Sequence, residues 1–142
     1  MQRDDDGAAM IEFLVLAVTL VVPLVYILLA AFDVQRAAFA TNSATREAAR
    51  VFVLAPSTAE AEQRAHDAAQ VALADHGLTL ADGELAITCS ASPCLTPGGR
   101  VRVSFSTEVE LPLIPGISSG LVAIPISATH TQTVDVYSDL RP

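Results

Sequence analysis

Residues 7–32 read GAAMIEFLVLAVTLVVPLVYILLAAF, and this apolar stretch dominates the 142-residue chain. From Phe13 to Phe32 it runs for twenty residues without a charge. At about 1.5 Å of rise per residue, such a helix is roughly 30 Å long, the thickness of a bilayer's hydrocarbon core. A buried helix of a soluble domain would carry a polar face, which this one lacks. The sequence therefore predicts a membrane-spanning helix over about 13–32, with Pro23 tolerated as a kink.

Composition and charge limit what the rest of the chain can do. The chain is 51% hydrophobic, and its formal net charge is −8, with 16 acidic residues against eight basic ones. All eight basic residues are arginines. Nucleic acid is excluded as a partner, because binding phosphates requires clustered positive charge. After the apolar helix, the remaining length suffices for one modest domain.

The junction before the apolar run is polar and then carries a single acid. Residues 1–7 form a short leader, and Glu12 follows inside otherwise apolar sequence. A carboxylate in a membrane span costs about 2–3 kcal/mol at the centre, so such a residue is a functional candidate. The alternative is that Glu12 is solvated at headgroup level.

A secretory cleavage after Ala31 is poorly supported, because Leu29 stands where a small residue is required.

These residues resemble a known family. Gly7, followed by AAMIEF at residues 8–13 and a long apolar helix, resembles the prepilin signal of type IV pilins. More narrowly, it resembles TadE-like minor pseudopilins of tight-adherence (Flp, type IV-like) pilus systems. Residues 35–50, which end in Ala-Ala-Arg, are similar to the helix that follows the membrane span in that family, and residues 126–135 are similar to its closing strand.

The resemblance implies a processing site and an assembly role. A prepilin peptidase would cleave the leader 1–7 between Gly7 and Ala8. The carboxylate of Glu12, next to Phe13, would then pair with the terminal amine of a neighbouring subunit. The implied partners are the membrane, the peptidase, and pilin and minor pseudopilin subunits, in a system for secretion and cell adhesion.

The same resemblance implies an orientation and a location. The leader would be cytoplasmic, and the single-pass protein would have an exported C-terminal domain that joins a surface pilus. Arginine counts alone favour the opposite orientation, since Arg36, Arg46 and Arg50 follow the span. A signal-anchored exported binding domain without a filament role is the alternative function.

The apolar helix is predicted to continue to about Val53, giving an extended helix over 8–53. Its small residues form a stripe at helical spacing: Ala37, Thr41, Ala44 and Ala48. Such a stripe allows close approach of another element. The partner is either another subunit in a filament or the chain's own sheet, and the sequence leaves both open.

Residues 54–142 are predicted to form the exported domain, beginning with a second helix. Pro56 ends the first helix, Ser57 is a typical N-cap, and Gly77 is suited to follow a helix that ends near His76. We expect its packing face to consist of small residues, namely Ala61, Ala65, Ala68 and Ala72.

Alternating patterns then predict strands at 84–89, 100–111 and about 124–136. The middle strand should bury one face, formed by Val101, Val103, Phe105, Val109 and Leu111. The predicted fold class is α+β, with a pilin-like N-terminal transmembrane helix that continues into an exported helix. A second helix then packs on a small antiparallel sheet.

The two cysteines, Cys89 and Cys94, lie close enough in sequence to form a short-loop disulfide. Free thiols and half of a metal site are the competing interpretations. A structural zinc site needs four ligands, and the three histidines are scattered, so no metal is expected. A disulfide would place this domain outside the cytosol.

Enzymatic motifs are weak. Residues 116–120 match Gly-x-Ser-x-Gly, and His130 and Asp135 follow, but a nucleophile elbow requires a strand, a sharp turn and a helix. Glu108 and Glu110 share one face of a strand, which the alternation makes the solvated face. We therefore expect a non-enzymatic protein without a cofactor or a small-molecule substrate.

Overall fold

The computed structural model describes residues 5–111 and 122–137, with side chains described over 8–109 and 123–137. Over these residues, the chain forms two helices and three strands in the order α1 (Asp5–Val53), α2 (Thr58–Ala74), β1 (Leu85–Cys89), β2 (Arg100–Leu111) and β3 (Val122–Thr133). The predicted α+β class is confirmed.

Helix α1 is one continuous 49-residue helix that passes through Pro23. Its first two-thirds, residues 8–36, have no buried side chain, and we call this part the stem. From Ala37 onward, eight side chains of α1 are buried: Ala37, Ala40, Thr41, Ala44, Thr45, Ala48, Ala49 and Phe52. We call this second part, together with the described residues that follow it, the head. The boundary of the head therefore falls within α1, before its end at Val53.

Helix α2 begins and ends as its sequence predicts. The Ser57 hydroxyl accepts a hydrogen bond from the Glu60 N–H at 3.4 Å, which caps the N-terminus. Gly77 has a positive φ of 70°. Its N–H donates to Ala74 O, and the Leu78 N–H donates to Leu73 O, which together form a Schellman motif. Only glycine adopts this backbone conformation without steric cost.

The packing face of α2 differs from the predicted one in its second half. The buried residues are Ala61, Ala65, Ala69 and Leu73, whereas Ala68 and Ala72 are half-buried. The four buried residues are spaced by four and therefore form one ridge along the helix surface. Two helices pack closely when the ridges of one fit into the grooves of the other. The small residues of α2 allow α1 and α2 to approach closely.

The three strands form one antiparallel sheet in the order β1-β2-β3. Leu85 of β1 is paired with Phe105 of β2, and Phe105 is paired with Ala128 of β3. Val101, Val103 and Phe105 are buried as predicted, while Val109 is half-buried; the Leu111 side chain lies outside the described residues. Strand β3 ends three residues before the predicted Val136, although the N–H of Val134 still donates to Gly99 O at 2.8 Å.

Helix α1 lies at the centre of the head. It contacts α2 and also β2 and β3, and its buried residues share one core cluster with residues of α2 and β2 and with Val134, which directly follows β3. The predicted stripe of Ala37, Thr41, Ala44 and Ala48 is buried inside the chain. Of the two alternatives left open by the sequence, the structure therefore favours intramolecular packing, because these side chains have no surface left for another subunit.

Cys89 and Cys94 form a disulfide, with their Cα atoms 5.3 Å apart. The bridge closes the loop between β1 and β2, and both cysteines pack against the core cluster. The free-thiol and metal interpretations are therefore wrong. The loop is further held by the Thr96 hydroxyl, which donates to Pro93 O at 2.6 Å.

Removing this bridge should destabilise the head moderately. Loop closure across a sequence separation of 5 reduces unfolded-state entropy, and its loss should lower the free energy of unfolding by about 2 kcal/mol. The double variant Cys89→Ser, Cys94→Ser tests this in thermal unfolding of the full chain in micelles. A reductant should lower the melting temperature of the wild type and leave that of the double variant unchanged. Equal melting temperatures for the two proteins would contradict the prediction.

Candidate functional site

The stem is the part of α1 that contributes no buried side chain to the head. An 18-residue window of α1 has a mean hydropathy of 2.8 and no buried residue. Large apolar side chains point outward all round it, including Phe13 and Phe32. By length and composition, α1 can cross a membrane, which is compatible with a membrane anchor or with a signal sequence.

Glu12 lies on the stem, at the N-terminal edge of the uncharged run. Its side chain is exposed, as is that of Phe13. Within the described part of the chain, the Glu12 carboxylate has no hydrogen-bonding or ion-pair partner. A carboxylate next to apolar surface on both sides is costly to place in hydrocarbon unless a cation neutralises it.

The predicted processing site lies inside helix α1. Gly7 and Ala8 are both helical, since α1 begins at Asp5, three residues before the predicted start of the extended helix. Leader residues 1–4 lie outside the described part.

The middle of the stem contains one interruption of the backbone hydrogen-bond ladder. Pro23 has no N–H, so the carbonyl of Thr19, four residues earlier, loses its usual helical partner. The Thr19 hydroxyl donates to Val15 O at 2.7 Å, which satisfies this polar side chain within the helix. Leu16, Thr19, Leu20 and Pro23 line a shallow, mostly apolar depression at this point.

The head end of the stem is marked by charges. Arg36 pairs with Asp33, its Nη2 lying 3.2 Å from Oδ1, and both side chains are partly exposed. A β-carbon placed on Gly77 would lie 3.5 Å from Arg36 Nη1, so this guanidinium also lies beside the C-terminus of α2. A cation is favoured there by the helix dipole. The head therefore begins directly where the apolar surface ends.

The structure separates the predicted site residues into two groups. Glu12 and Phe13 lie on the exposed stem, whereas Ala37, Thr41, Ala44 and Ala48 lie in the core of the head. Along a straight helix, the 25 residues between Glu12 and Ala37 correspond to about 37 Å. The two groups therefore form no common site.

The residues considered for catalysis are not assembled into a cleft by the described part. The Gly-x-Ser-x-Gly sequence at 116–120 lies outside the described residues, as does the side chain of Glu110. Glu108 is exposed, as the alternation predicts. Within residues 8–109 and 123–137, no group of three or more His, Cys, Asp or Glu side chains could hold a metal ion.

Sequence reasoning overlooked one polar cluster. Thr88, Ser90, Arg100, Arg102 and Thr131 line a shallow cleft on the outer face of the sheet, next to Cys89. The alternation of β2 already assigned both arginines to the face opposite the buried valines. Their cross-strand neighbours became evident only with the register, which pairs Arg102 with Thr88 and Thr131.

The chain was also compared with known proteins. No protein-family model, no curated protein and no solved structure matches it.

Proposed function

We propose that this protein is a membrane-anchored, pilin-like subunit or assembly factor of a tight-adherence, type IV-like pilus, and that it is not an enzyme. The observation that carries the proposal is that the two parts of α1 lie in different environments. Its first part is an unburied apolar stem with one acid at the edge, and its second part is the central core helix of the head.

Such a helix suits a subunit that moves from a membrane into a filament. In the bilayer, the stem side chains face lipid, which satisfies the hydrophobic effect without any protein partner. In a filament, the same surface can pack against the stems of other subunits. The head is unaffected by this exchange, because residues 8–36 contribute no buried side chain to it.

Glu12 supplies the specificity of this packing. Among apolar stems its carboxylate would be desolvated, which costs several kcal/mol unless an opposite charge lies close. Cleavage after Gly7 would create such a charge, the Ala8 amine, on each neighbouring subunit. Because the chain has no lysine, this amine would be its only primary amine. Pairing of Glu12 with the amine would set the axial register between stems.

The second candidate function is a signal-anchored binding domain without a filament role. The exposed outer face of the sheet is the observation that favours it, because a free polar face can bind a partner. The two functions differ in their dependence on Gly7 and Glu12, which only the pilin-like function requires.

Processing after Gly7 provides the direct test. When the chain is expressed with a prepilin peptidase, we expect the membrane-extracted protein to begin Ala-Ala-Met-Ile-Glu, at Ala8. Replacing Gly7 by a bulky residue should block cleavage, whereas a substitution at Ala9 should not. Intact mass and N-terminal sequencing measure both results. Retention of Met1–Gly7 in the presence of an active peptidase would rule out the processing.

A further inference from the structure

The outer face of the sheet is not covered by either helix. Along β2 the described side chains on this face are Arg100, Arg102, Ser104, Ser106 and Glu108, and all are exposed except the half-buried Ser104. Their neighbours on β1 and β3 are short and mostly hydroxylated, including Thr88 and Thr131. A flat polar face of this kind gains little from hydrophobic burial, so the two cations dominate the chemistry at their end of β2, while Glu108 lies six residues beyond Arg102.

No acid in the described part of the chain neutralises these two arginines. Within residues 8–109 and 123–137, neither guanidinium is in an ion pair or a hydrogen bond, whereas Arg36 and Arg64 are paired with Asp33 and Glu60. Acids outnumber arginines two to one in this chain, 16 to eight. Two adjacent unpaired cations in such a chain are therefore available to an external anion. We call Arg100 and Arg102 the arginine patch.

The arginine patch lies on a well-supported backbone. The Ser90 hydroxyl accepts from the Arg100 N–H at 2.9 Å, and the Ser90 N–H donates to Arg100 O at 2.9 Å. The disulfide at Cys89 adjoins the same strand end. Arginine side chains on such a backbone can form paired hydrogen bonds with carboxylates at a modest entropic cost.

A complementary surface lies on the helical side of the same head. A groove between α1 and α2 is lined by Ser43, Glu47, Asp67, Ala68, Val71, Ala72 and Asp75, which we call the acidic groove. In the described part of the chain, its three carboxylates have no ion-pair partner. Asp75 lies at the C-cap of α2, where the helix dipole disfavours a negative charge. The side chain of Val71 is 63% exposed and offers apolar contact area at the centre of the groove.

We propose that the arginine patch of one copy docks into the acidic groove of a second copy. The two surfaces lie on different sides of the head, one on the outer face of the sheet and one between the helices. The contact is therefore head-to-tail, and it leaves a free patch and a free groove at the two ends of every pair. Such contacts build open chains of subunits unless the rotation between copies closes a ring.

The contact is compatible with parallel stems. The acidic groove runs between α1 and α2, and the sheet packs along α1 through β2 and β3, so both surfaces flank α1. Neighbouring copies can therefore remain in one membrane while their heads touch. The contact requires neither cleavage after Gly7 nor the Glu12 carboxylate, so it is independent of the proposed function and can be tested on the uncleaved chain.

The experiment compares full-length, leader-bearing proteins in detergent micelles by analytical ultracentrifugation. The wild type should self-associate, and the association should weaken at least several-fold between low and high salt, because charges carry it. The reversal Arg100→Glu, Arg102→Glu should lose the association, as should Glu47→Arg, Asp67→Arg. A control with the same change in net charge as the arginine reversal, Arg50→Glu, Arg64→Glu, should retain it.

Mixing the two reversed proteins gives the decisive result. In either reversed protein alone, the patch and the groove carry charges of the same sign, so two copies repel each other. In a mixture, the acidic patch of the first protein can dock into the basic groove of the second, and the basic patch of the second can dock into the acidic groove of the first. We expect the mixture to associate as the wild type does, which also shows that both variants are folded. The proposal is overturned if the wild type stays monomeric, if either reversed protein associates alone, or if the mixture does not associate.

Discussion

Glu12→Ala should abolish incorporation into filaments and leave membrane insertion intact. The substitution removes a carboxylate from the edge of the stem, which makes insertion more favourable, because a charge near hydrocarbon is costly. In an assembled filament it would leave the Ala8 amine of a neighbour buried without a counter-charge. Breaking a buried pair in this way costs about 3–5 kcal/mol per contact. Sheared pili and membranes are compared by immunoblotting to measure both effects.

The matched control at this position is Glu12→Gln, which keeps the size and removes the charge. If charge pairing is responsible, Gln should fail as Ala does, whereas Glu12→Asp should retain partial assembly. A membrane-permeant carbodiimide provides a positive signal, since the lysine-free chain offers only its terminal amine for an amide bond with Glu12 of a second copy. Normal pili from the Ala and Gln variants would refute the pairing role.

Phe52→Ala should destabilise the head strongly and leave the stem intact. Phe52 is fully buried in the core cluster formed by α1, α2 and the sheet. Removing a buried phenylalanine side chain costs about 3–5 kcal/mol, through lost transfer energy and the cavity that remains. Seven of the other twelve buried residues of the cluster are alanines, which have no side-chain rotamers with which to fill that cavity. Amide hydrogen exchange of Val101–Phe105 in micelles should therefore accelerate by roughly 10²- to 10⁴-fold.

Phe39→Ala is the matched control on the same helix. Phe39 is 70% exposed, so its removal should change the free energy of unfolding by no more than about 0.5 kcal/mol. Exchange of amides in the uncharged run 13–32 should be the same in both variants. Equal exchange rates for Val101–Phe105 in the two variants would show that α1 is not the core helix of the head.

Local sequence was sufficient to predict those structural features that one kind of interaction determines. The unbroken apolar run, the Ser57 N-cap and the glycine after α2 are each determined by a few neighbouring residues, and all three were predicted. The alternation of β2 likewise predicted the burial of Val101, Val103 and Phe105. The disulfide was one of several interpretations of two close cysteines, since spacing alone does not distinguish a bridge from free thiols.

The sequence alone could not show which surface a given face of a helix or strand packs against. A stripe of small residues at Ala37, Thr41, Ala44 and Ala48 permits close packing against any surface, so its pattern is the same for a neighbour and for the chain's own core. The shift of the buried face of α2 to Ala69 and Leu73 depends on how that helix crosses α1. The surroundings of the arginine patch required the strand register, which places Thr88 and Thr131 beside Arg102.

The sequence by itself therefore determined the apolar span, the position of Glu12 at its edge, the helix ends and the strand alternation, because each depends on the order of neighbouring side chains. Only the tertiary structure decided that α1 changes from stem to core at Ala37, that the small-residue stripe is internal, and that unpaired arginines and unpaired carboxylates lie on different sides of the head. Those features depend on which surfaces of the chain contact each other. Packing between distant parts of the sequence determines these contacts, and local sequence patterns do not.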